Sequence, residues 1–382
     1  KGGGKMKIAH ISDLHLGKNL HSFSLIDDQE YILLEIIKIL REKKVDVLLI
    51  AGDIYDKILP SVEAIRLLRK FINELVQAKI KIFIISGNHD SAERLTFGAE
   101  FMTNNDIYFS KIFDGKIEPI VINDDYGKIN FYLIPFLKPV IVKQFYENED
   151  IDSYEKAFYL VVEDLKINSK ERNIVVAHQN IMNSVHCESE ETIIGGLDAI
   201  SAKIFSNFDY AALGHIHRPQ KIEKNVYFSG TPLKYSISEI DHEKTLPIID
   251  FKEKGNLQIE YIPLIPKRDI RQIRGTFEEI LKMSEKDQNS REDYIDIILT
   301  DEQEILDAIY TLRSVYPNIL QLTYDNSVTR NELTIGEMEK ISISNPMQMF
   351  EEFYLNRSGS ELKAEQKKYV NELIDSIWGS KE

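Results

Sequence analysis

The sequence predicts an α/β fold: two halves of a β-sandwich flanked by helices, then a small α+β unit and a helical tail. Three observations predict it. Short runs of apolar, largely β-branched residues recur at 8–12, 45–50, 80–85, 174–177 and 210–213. Each ends in a Gly or a polar turn, the pattern of a buried strand. Between the first three runs, apolar residues repeat at the helical period, so the opening reads β-α-β-α-β. That order needs a parallel sheet covered on both faces. The pattern then changes character at about residue 266.

Residues 1–5 (Lys-Gly-Gly-Gly-Lys) read as a cloning remnant, with Met6 as the natural start. In the helical stretch 28–43, Ile32, Leu33, Ile36, Ile37 and Leu40 share one face. Run 45–50 leads to Gly52-Asp53 and then to a helix opening near Pro60-Ser61. Ser61 is its expected N-cap, and Val62, Ile65, Leu68, Ile72 and Leu75 are its expected buried face. A second half follows. Residues 116–122 and 128–133 read as paired strands around a turn at 123–127, and 154–168 as a helix. Segments 226–229, 247–251 and 257–262 form a terminal meander, the last two joined at Gly255-Asn256. This first domain spans 6–265.

Residues 266–344 form the α+β unit, with strands at 270–274, 294–299 and 319–324 and helices at 277–284 and 302–315. A charged loop fills 285–293. From 345 to 382 the chain reads as helical. Asn345-Pro346 suits a cap followed by Pro at the first helical position. Met347, Phe350, Phe353 and Tyr354 repeat at helical spacing, and Arg357-Ser358-Gly359 breaks the helix. Ser360 caps a last one with Leu362, Tyr369, Leu373 and Ile377 on one face.

The composition is that of an ordinary soluble globular protein, which fits a cytoplasmic location. No apolar stretch approaches the roughly 20 residues that span a bilayer, and no secretory signal opens the chain. The single cysteine, Cys187, excludes an intrachain disulfide framework and suits a reducing compartment. It reads as a loop thiol near solvent. The net charge of −15 opposes a free-standing nucleic-acid binder. Either the substrate is small, or metals and a partner supply the positive charge.

The chemistry sits just past the strand runs: Asp13-Leu14-His15, Gly52-Asp53, Gly87-Asn88-His89-Asp90, His178 and Gly214-His215-Ile216-His217. In open α/β sheets ligands bind beyond the carboxyl ends of the strands. Five strand ends therefore deliver Asp, Asn and His side chains to one rim, a site for two metal ions. Asp13 and His15 are two residues apart, as are His215 and His217. In extended backbone such pairs point the same way and reach one ion. Gly214 lets the chain turn at the rim. The two oxygens of Asp53 can bridge two ions, Asn88 offers a neutral oxygen and His178 an imidazole. This donor mixture favours Mn²⁺, Fe²⁺ or Zn²⁺ over Mg²⁺ or Ca²⁺. Two ions about 3.5–4 Å apart would clamp a phosphate and acidify a bridging water. His89 directly follows Asn88 and points elsewhere. It is placed to bind the phosphate or protonate the leaving oxygen, with Asp90 to orient its ring. His10 and His21 fall outside the pattern and are assigned to the surface or to supporting positions. Each motif alone is weak; the ordered set of five is specific.

That ordered set resembles the calcineurin-like metallophosphoesterase family, and within it the double-strand-break repair nucleases. The resemblance rests on KIAHISDLHLG (7–17), LIAGDIYD (49–56), IISGNHDSAER (84–94), ALGHIHRP (212–219) and SGTPLKYS (229–236). It implies one metal on Asp13, His15, Asp53 and His217, a second on Asp53, Asn88, His178 and His215, and His89 as the catalytic imidazole. Asp56 stands where some relatives have a histidine. The resemblance further implies Mn²⁺-dependent cleavage of DNA phosphodiesters, as an exonuclease on duplex ends and an endonuclease on single strands and hairpins. It implies a partner ABC-type ATPase with a long coiled coil, in an assembly of two subunits of each kind. On this reading 266–344 caps DNA beside the site and 345–382 docks on the partner, packing within the chain being the alternative for the tail. Two rivals are a small-substrate phosphodiesterase or phosphatase with the same site, and a non-catalytic scaffold. The scaffold should have lost ligands, whereas every ligand position is filled.

Overall fold

Strand β1 (Met6–Ile11) is buried along nearly its whole length, because helices cover one face of its sheet and a second sheet covers the other. The computed structural model describes residues 5–190, 198–287, 290–327, 329, 347, 350, 351, 354, 355 and 362–378. A short ribbon, β2 (Asn19–Leu20) and β3 (Phe23–Ser24), leads into α1 (Ile26–Lys43). This helix buries Ile32, Leu33, Ile36, Ile37 and Leu40, as their period requires. Strand β4 (Val47–Ala51), α2 (Val62–Gln77) and β5 (Lys81–Ile85) follow. Ser61 caps α2, its hydroxyl accepting from the Ala64 N–H at 3.2 Å.

The buried face of α2 differs from the expected one. Ala64, Leu67, Leu68, Phe71 and Leu75 are inside, while Val62 and Ile65 are 57% and 48% exposed. The two candidate stripes share Leu68 and Leu75. The one that carries Phe71, the bulkiest apolar side chain, buries more area and wins.

Short helices α3 (Ala92–Leu95) and α4 (Ala99–Met102) precede β6 (Ile107–Phe109). Strands β7 (Ile120–Asp124) and β8 (Gly127–Leu133) form a hairpin with a tighter turn than expected. Then come α5 (Pro139–Val142), α6 (Tyr154–Asp164), β9 (Arg172–His178), β10 (Tyr210–Gly214), β11 (Gln220–Glu223), β12 (Val226–Phe228), β13 (Thr245–Phe251) and β14 (Leu257–Pro263).

Two six-stranded sheets result, ordered β14-β13-β1-β4-β5-β6 and β11-β12-β10-β9-β8-β7. Strands β1, β4, β5 and β6 run parallel, as do β12, β10, β9 and β8, and antiparallel strands close the remaining edges. The sheets face each other across a core that includes Ile8, Leu49, Phe83, Phe131, Val176 and Ala212. Phe83 stacks on Phe131 at 4.6 Å between ring centroids, joining the layers. Buried Arg172 ties them at one end, pairing with Asp124 and donating to the Phe251 carbonyl at 3.2 Å.

Strands β15 (Ile270–Gly275), β16 (Tyr294–Leu299) and β17 (Ile319–Tyr324) form a third sheet, with α7 (Phe277–Lys286) and α8 (Ala308–Arg313) between them. Thr276 and Glu279 cap α7 reciprocally. Helix α8 starts later than expected, because Asp307 at its N-cap is left-handed (φ 55°).

Lys1–Ile298 with Asp307–Thr323 form one compact unit. Within it Asp28 accepts from Arg268 Nε at 2.9 Å and from the Tyr294 hydroxyl at 2.9 Å. Leu299–Leu306 with Tyr324–Glu382 form the other. It contains α9 (Ala364–Trp378), and Phe350, Tyr354, Leu362, Tyr369 and Val370 line an apolar hollow there. Asn345-Pro346, Phe353, Arg357-Ser358-Gly359 and Ser360 lie outside the described residues. No described helix is long and apolar enough to cross a membrane.

Candidate metal centre

Parallel strands send their carboxyl ends to one rim. Asp13 and His15 follow β1, Asp53 follows β4, Asn88, His89 and Asp90 follow β5, His178 ends β9, and His215 and His217 follow β10. The two rims touch where His178 Nδ1 donates to the Ala51 carbonyl at 2.8 Å, a bond from one sheet to the other. Glycine makes this approach possible. A Cβ on Gly214 would stand 2.0 Å from the Ala51 oxygen and 2.7 Å from His178 Nδ1. Close approach, not a turn, is therefore what position 214 demands; the left-handed residue is His215, at φ 99°.

The ligand pairs do not converge through extended backbone, as the spacing suggested. Asp13, His15 and Asp53 are left-handed, with φ of 53°, 43° and 51°. Such conformations cost about 1–3 kcal/mol each where the residue is poorly suited to them. Backbone hydrogen bonds hold them: Asp13 N–H to the Gly52 carbonyl and His15 N–H to the Asp53 carbonyl, both at 3.0 Å. The Asp13 carboxylate in turn accepts from the His215 N–H at 2.9 Å.

Asp53 is central. Its Oδ2 lies 3.4 Å from His178 Nε2, 3.7 Å from His15 Nε2 and 3.9 Å from His89 Nε2. On one side His15 Nε2 and His217 Nε2 stand 3.2 Å apart, with Asp13 alongside. On the other, Asn88 Oδ1 lies 2.9 Å from His178 Nε2 and 3.1 Å from His215 Nδ1. All seven expected ligands thus meet in one cluster, with Asn88 half-buried and the other six buried.

The donor chemistry fits cations. The Ala51 carbonyl takes the Nδ1–H of His178, so a neutral His178 presents a bare lone pair at Nε2 to the oxygens of Asp53 and Asn88. Lone pair facing oxygen is repulsive unless a proton or a metal ion lies between. The electrostatics agree. Burial opposes charge on His178, yet Asp53 beside it raises the ring to about 9. Burial also opposes charge on Asp53, but His178 and His15 hold its carboxyl well below the usual range. Burial raises Asp13 to about 6.

His89 Nδ1 lies 3.0 Å from the Asp56 carbonyl, so a backbone oxygen orients the ring. The expected orienter, Asp90, is occupied elsewhere: its carboxylate accepts from the N–H groups of Ile54, Tyr55 and Gly87 at 3.1, 3.0 and 2.9 Å. It ties the loop after β4 to the loop after β5. His10 is not at the surface; it is fully buried between the sheets, with Nδ1 3.1 Å from the Tyr210 hydroxyl. His21 is exposed. Cys187 is only half-buried, and desolvation together with Glu239 pushes its thiol up to about 12.

The calcineurin-like phosphoesterase model matches residues 6–219, more than half of the chain. A Staphylococcus epidermidis protein named as a subunit of the nuclease SbcCD is 32% identical over 380 residues, covering 97% of this chain and 99% of that one. The chain belongs to the calcineurin-like phosphoesterases, in the SbcD family. A second model, described as the type 5 capsule protein repressor C-terminal domain, matches 266–358 of this SbcD-family chain. Among solved structures, a dimetal phosphatase from Danio rerio is similar at 11% identity and a TM-score of 0.42, covering 68% of this chain and 96% of that one. A Thermus thermophilus protein is similar at 13% identity and a TM-score of 0.39, with 68% and 99% covered.

Some residues around the centre carried no readable signal. The Tyr235 hydroxyl donates to the Leu14 carbonyl at 2.5 Å, and Gln29 Nε2 donates to the His15 carbonyl at 2.8 Å. Both brace the Asp13–His15 turn. Tyr235 lies in the SGTPLKYS stretch, but its partner is 221 residues away in sequence. Only the fold reveals such a contact.

Proposed function

We propose that this chain is the metal-dependent DNA nuclease subunit of a double-strand-break processing complex, serving repair, recombination and replication in the cytoplasm. It hydrolyses phosphodiester bonds at duplex ends, in single strands and in hairpins. An SbcC-like ABC-type ATPase is its partner. The observation that carries the reading is the convergence of Asp13, His15, Asp53, Asn88, His178, His215 and His217 on one rim, in a chain matched end to end by a nuclease subunit.

Two divalent ions, Mn²⁺ by preference, would be held by Asp13, His15, Asp53 and His217 on one side and by Asp53, Asn88, His178 and His215 on the other. When bound, they supply Lewis-acid polarisation of the phosphate. The chain's own residues do the rest. Asp53, anionic and central, keeps the two nests together. His89 has its Nδ1–H committed to the Asp56 carbonyl, so the proton it can give the leaving oxygen is the one on Nε2, the atom that faces Asp53. Asp90 serves as a positioning residue through the backbone it holds.

Residues 6–265 form the nuclease domain, 266–344 cap the DNA, and 345–382 bind the partner. The apolar hollow of the tail and the exposure of Tyr369 and Leu373 support the last assignment. A homodimer within a heterotetramer is supported by the exposed Ile58, Leu59, Val62 and Ile65.

The experiment is cleavage of a hairpin-ended duplex by the purified chain, with Mn²⁺ and with chelator, beside a phenyl phosphodiester. Metal-dependent cutting of the hairpin is expected. Rapid turnover of the small ester, with the DNA untouched even after the ATPase is added, would overturn the nuclease reading.

A further inference from the structure

Outside the ligand cluster lies a buried ion pair that the mechanism does not use. Glu239 is fully buried and Lys244 nearly so, with Lys244 Nζ 2.5 Å from Glu239 Oε2. Lys244 also donates to the Thr231 hydroxyl at 2.7 Å and to the backbone carbonyl of His217 at 2.9 Å. The other carboxylate oxygen, Glu239 Oε1, accepts from the Tyr235 N–H at 3.1 Å and from the Ser189 hydroxyl at 2.5 Å. Ser189 Oγ stands 2.6 Å from His217 Nδ1. Thr231 and Tyr235 both belong to the SGTPLKYS stretch.

The two short contacts of Ser189 decide its proton; Cys187 Sγ, 3.1 Å from the same oxygen, can donate to it as well. A serine hydroxyl carries a single hydrogen, and a carboxylate only accepts. The Ser189 hydrogen therefore goes to Glu239, and Ser189 Oγ accepts the Nδ1–H of His217. That puts a proton on Nδ1 of His217 and, in the neutral ring that can ligate a metal, leaves Nε2 bare. Nε2 is the atom 3.2 Å from His15 Nε2, inside the ligand cluster.

We propose that Glu239, acting through Ser189, is a positioning residue that locks the His217 ring with its Nε2 lone pair toward the metal centre, and that Lys244 anchors Glu239 for this task. This rests on the reading of His217 as a metal ligand. A carboxylate behind a ligating imidazole fixes its orientation and raises its basicity; here a hydroxyl stands between the two. Lys244 at the His217 carbonyl and Glu190 Oε1, accepting from the His217 N–H at 2.8 Å, clamp the backbone from both sides. The SGTPLKYS stretch thereby gains a role: it is the frame that carries the anchor.

The test counts free Mn²⁺ by electron paramagnetic resonance as it is titrated into the full-length chain. Wild type should bind two ions. Ser189→Ala, which leaves the Glu239–Lys244 pair intact, should weaken one of them by about 10–100-fold and spare the other. Ser189→Thr keeps the hydroxyl and should bind as wild type. The double variant Glu239→Gln with Lys244→Met removes both buried charges together, so neither is stranded; it should weaken the same ion. Thermal unfolding of metal-free Ser189→Ala should match wild type, separating ring positioning from simple stability. If both variants hold two ions as tightly as wild type, the relay is wrong while the centre stands. A wild-type chain that binds no Mn²⁺ overturns the centre and the relay together.

Discussion

At His89 one backbone carbonyl decides which nitrogen faces the cluster. The Asp56 oxygen holds Nδ1 at 3.0 Å and leaves Nε2 facing the cluster, 3.9 Å from Asp53. His89 lies near enough to His15 and Asp53 to share an ion with them, but on the proposed reading it gives a proton and is not a ligand. His89→Ala should therefore keep both Mn²⁺ ions in a binding titration while cleavage falls about 10²–10⁴-fold, the usual weight of a general acid. Loss of one ion in that variant would instead make His89 a ligand. Asp90 acts on a different link of the chain. Its three backbone hydrogen bonds position the loops after β4 and β5, so on the proposed reading it acts on the reaction only through them.

At the scale of elements, the sandwich carries a polar tie in its middle. His10 on β1 reaches across to Tyr210 on β10, and burial lowers its ring from 6.5 to about 3. Below pH 6.5 the unfolded chain takes up a proton at this ring and the folded chain does not. The stability His10 contributes is therefore complete above about 6.5 and lost as pH falls toward 3. At about 1.4 kcal/mol per pH unit the loss reaches about 2 kcal/mol by pH 5. His10→Gln should show a correspondingly flatter drop in urea midpoint between pH 7.5 and 5; an unchanged slope would mean the ring titrates normally.

The same strands show what could be read in advance. Residues 47–51 and 82–85 are unbroken apolar because β4 and β5 are covered on both faces, and that pattern is local. The face of α2 was not local: two stripes fit the period equally, and packing of Phe71 chose between them. The left-handed Asp13, His15 and Asp53 were invisible as well, since hydrogen bonds to distant loops impose them. The residues of the centre were legible by type and order, but how they converge was not.

For the whole molecule the net charge of −15 sets the problem. A chain this acidic repels a DNA backbone, and the counterion release that drives nucleic-acid binding needs Lys and Arg it does not display in excess. On the proposed reading the centre would answer part of this, since two divalent ions would add positive charge where the scissile phosphate must sit. The remainder falls to a partner, and the tail is where the proposal places it. Tyr369 is 66% and Leu373 44% exposed on α9, a cost in water that docking on an apolar helical surface would recover. Deleting residues 345–382 should thus leave Mn²⁺-dependent cutting of short single strands within about threefold of the full chain, an activity the ligand cluster can support by itself, because the loss amounts to well under 1.4 kcal/mol of transition-state stabilisation. The same deletion should abolish co-purification with the ATPase and, with it, cutting of duplex ends. As a companion, Val62→Glu with Ile65→Glu should shift the full chain from dimer to monomer in sedimentation without loss of the ATPase. If the truncated chain still co-purifies, the apolar face of α9 belongs to this chain's own packing, and the positive charge has to come from another surface.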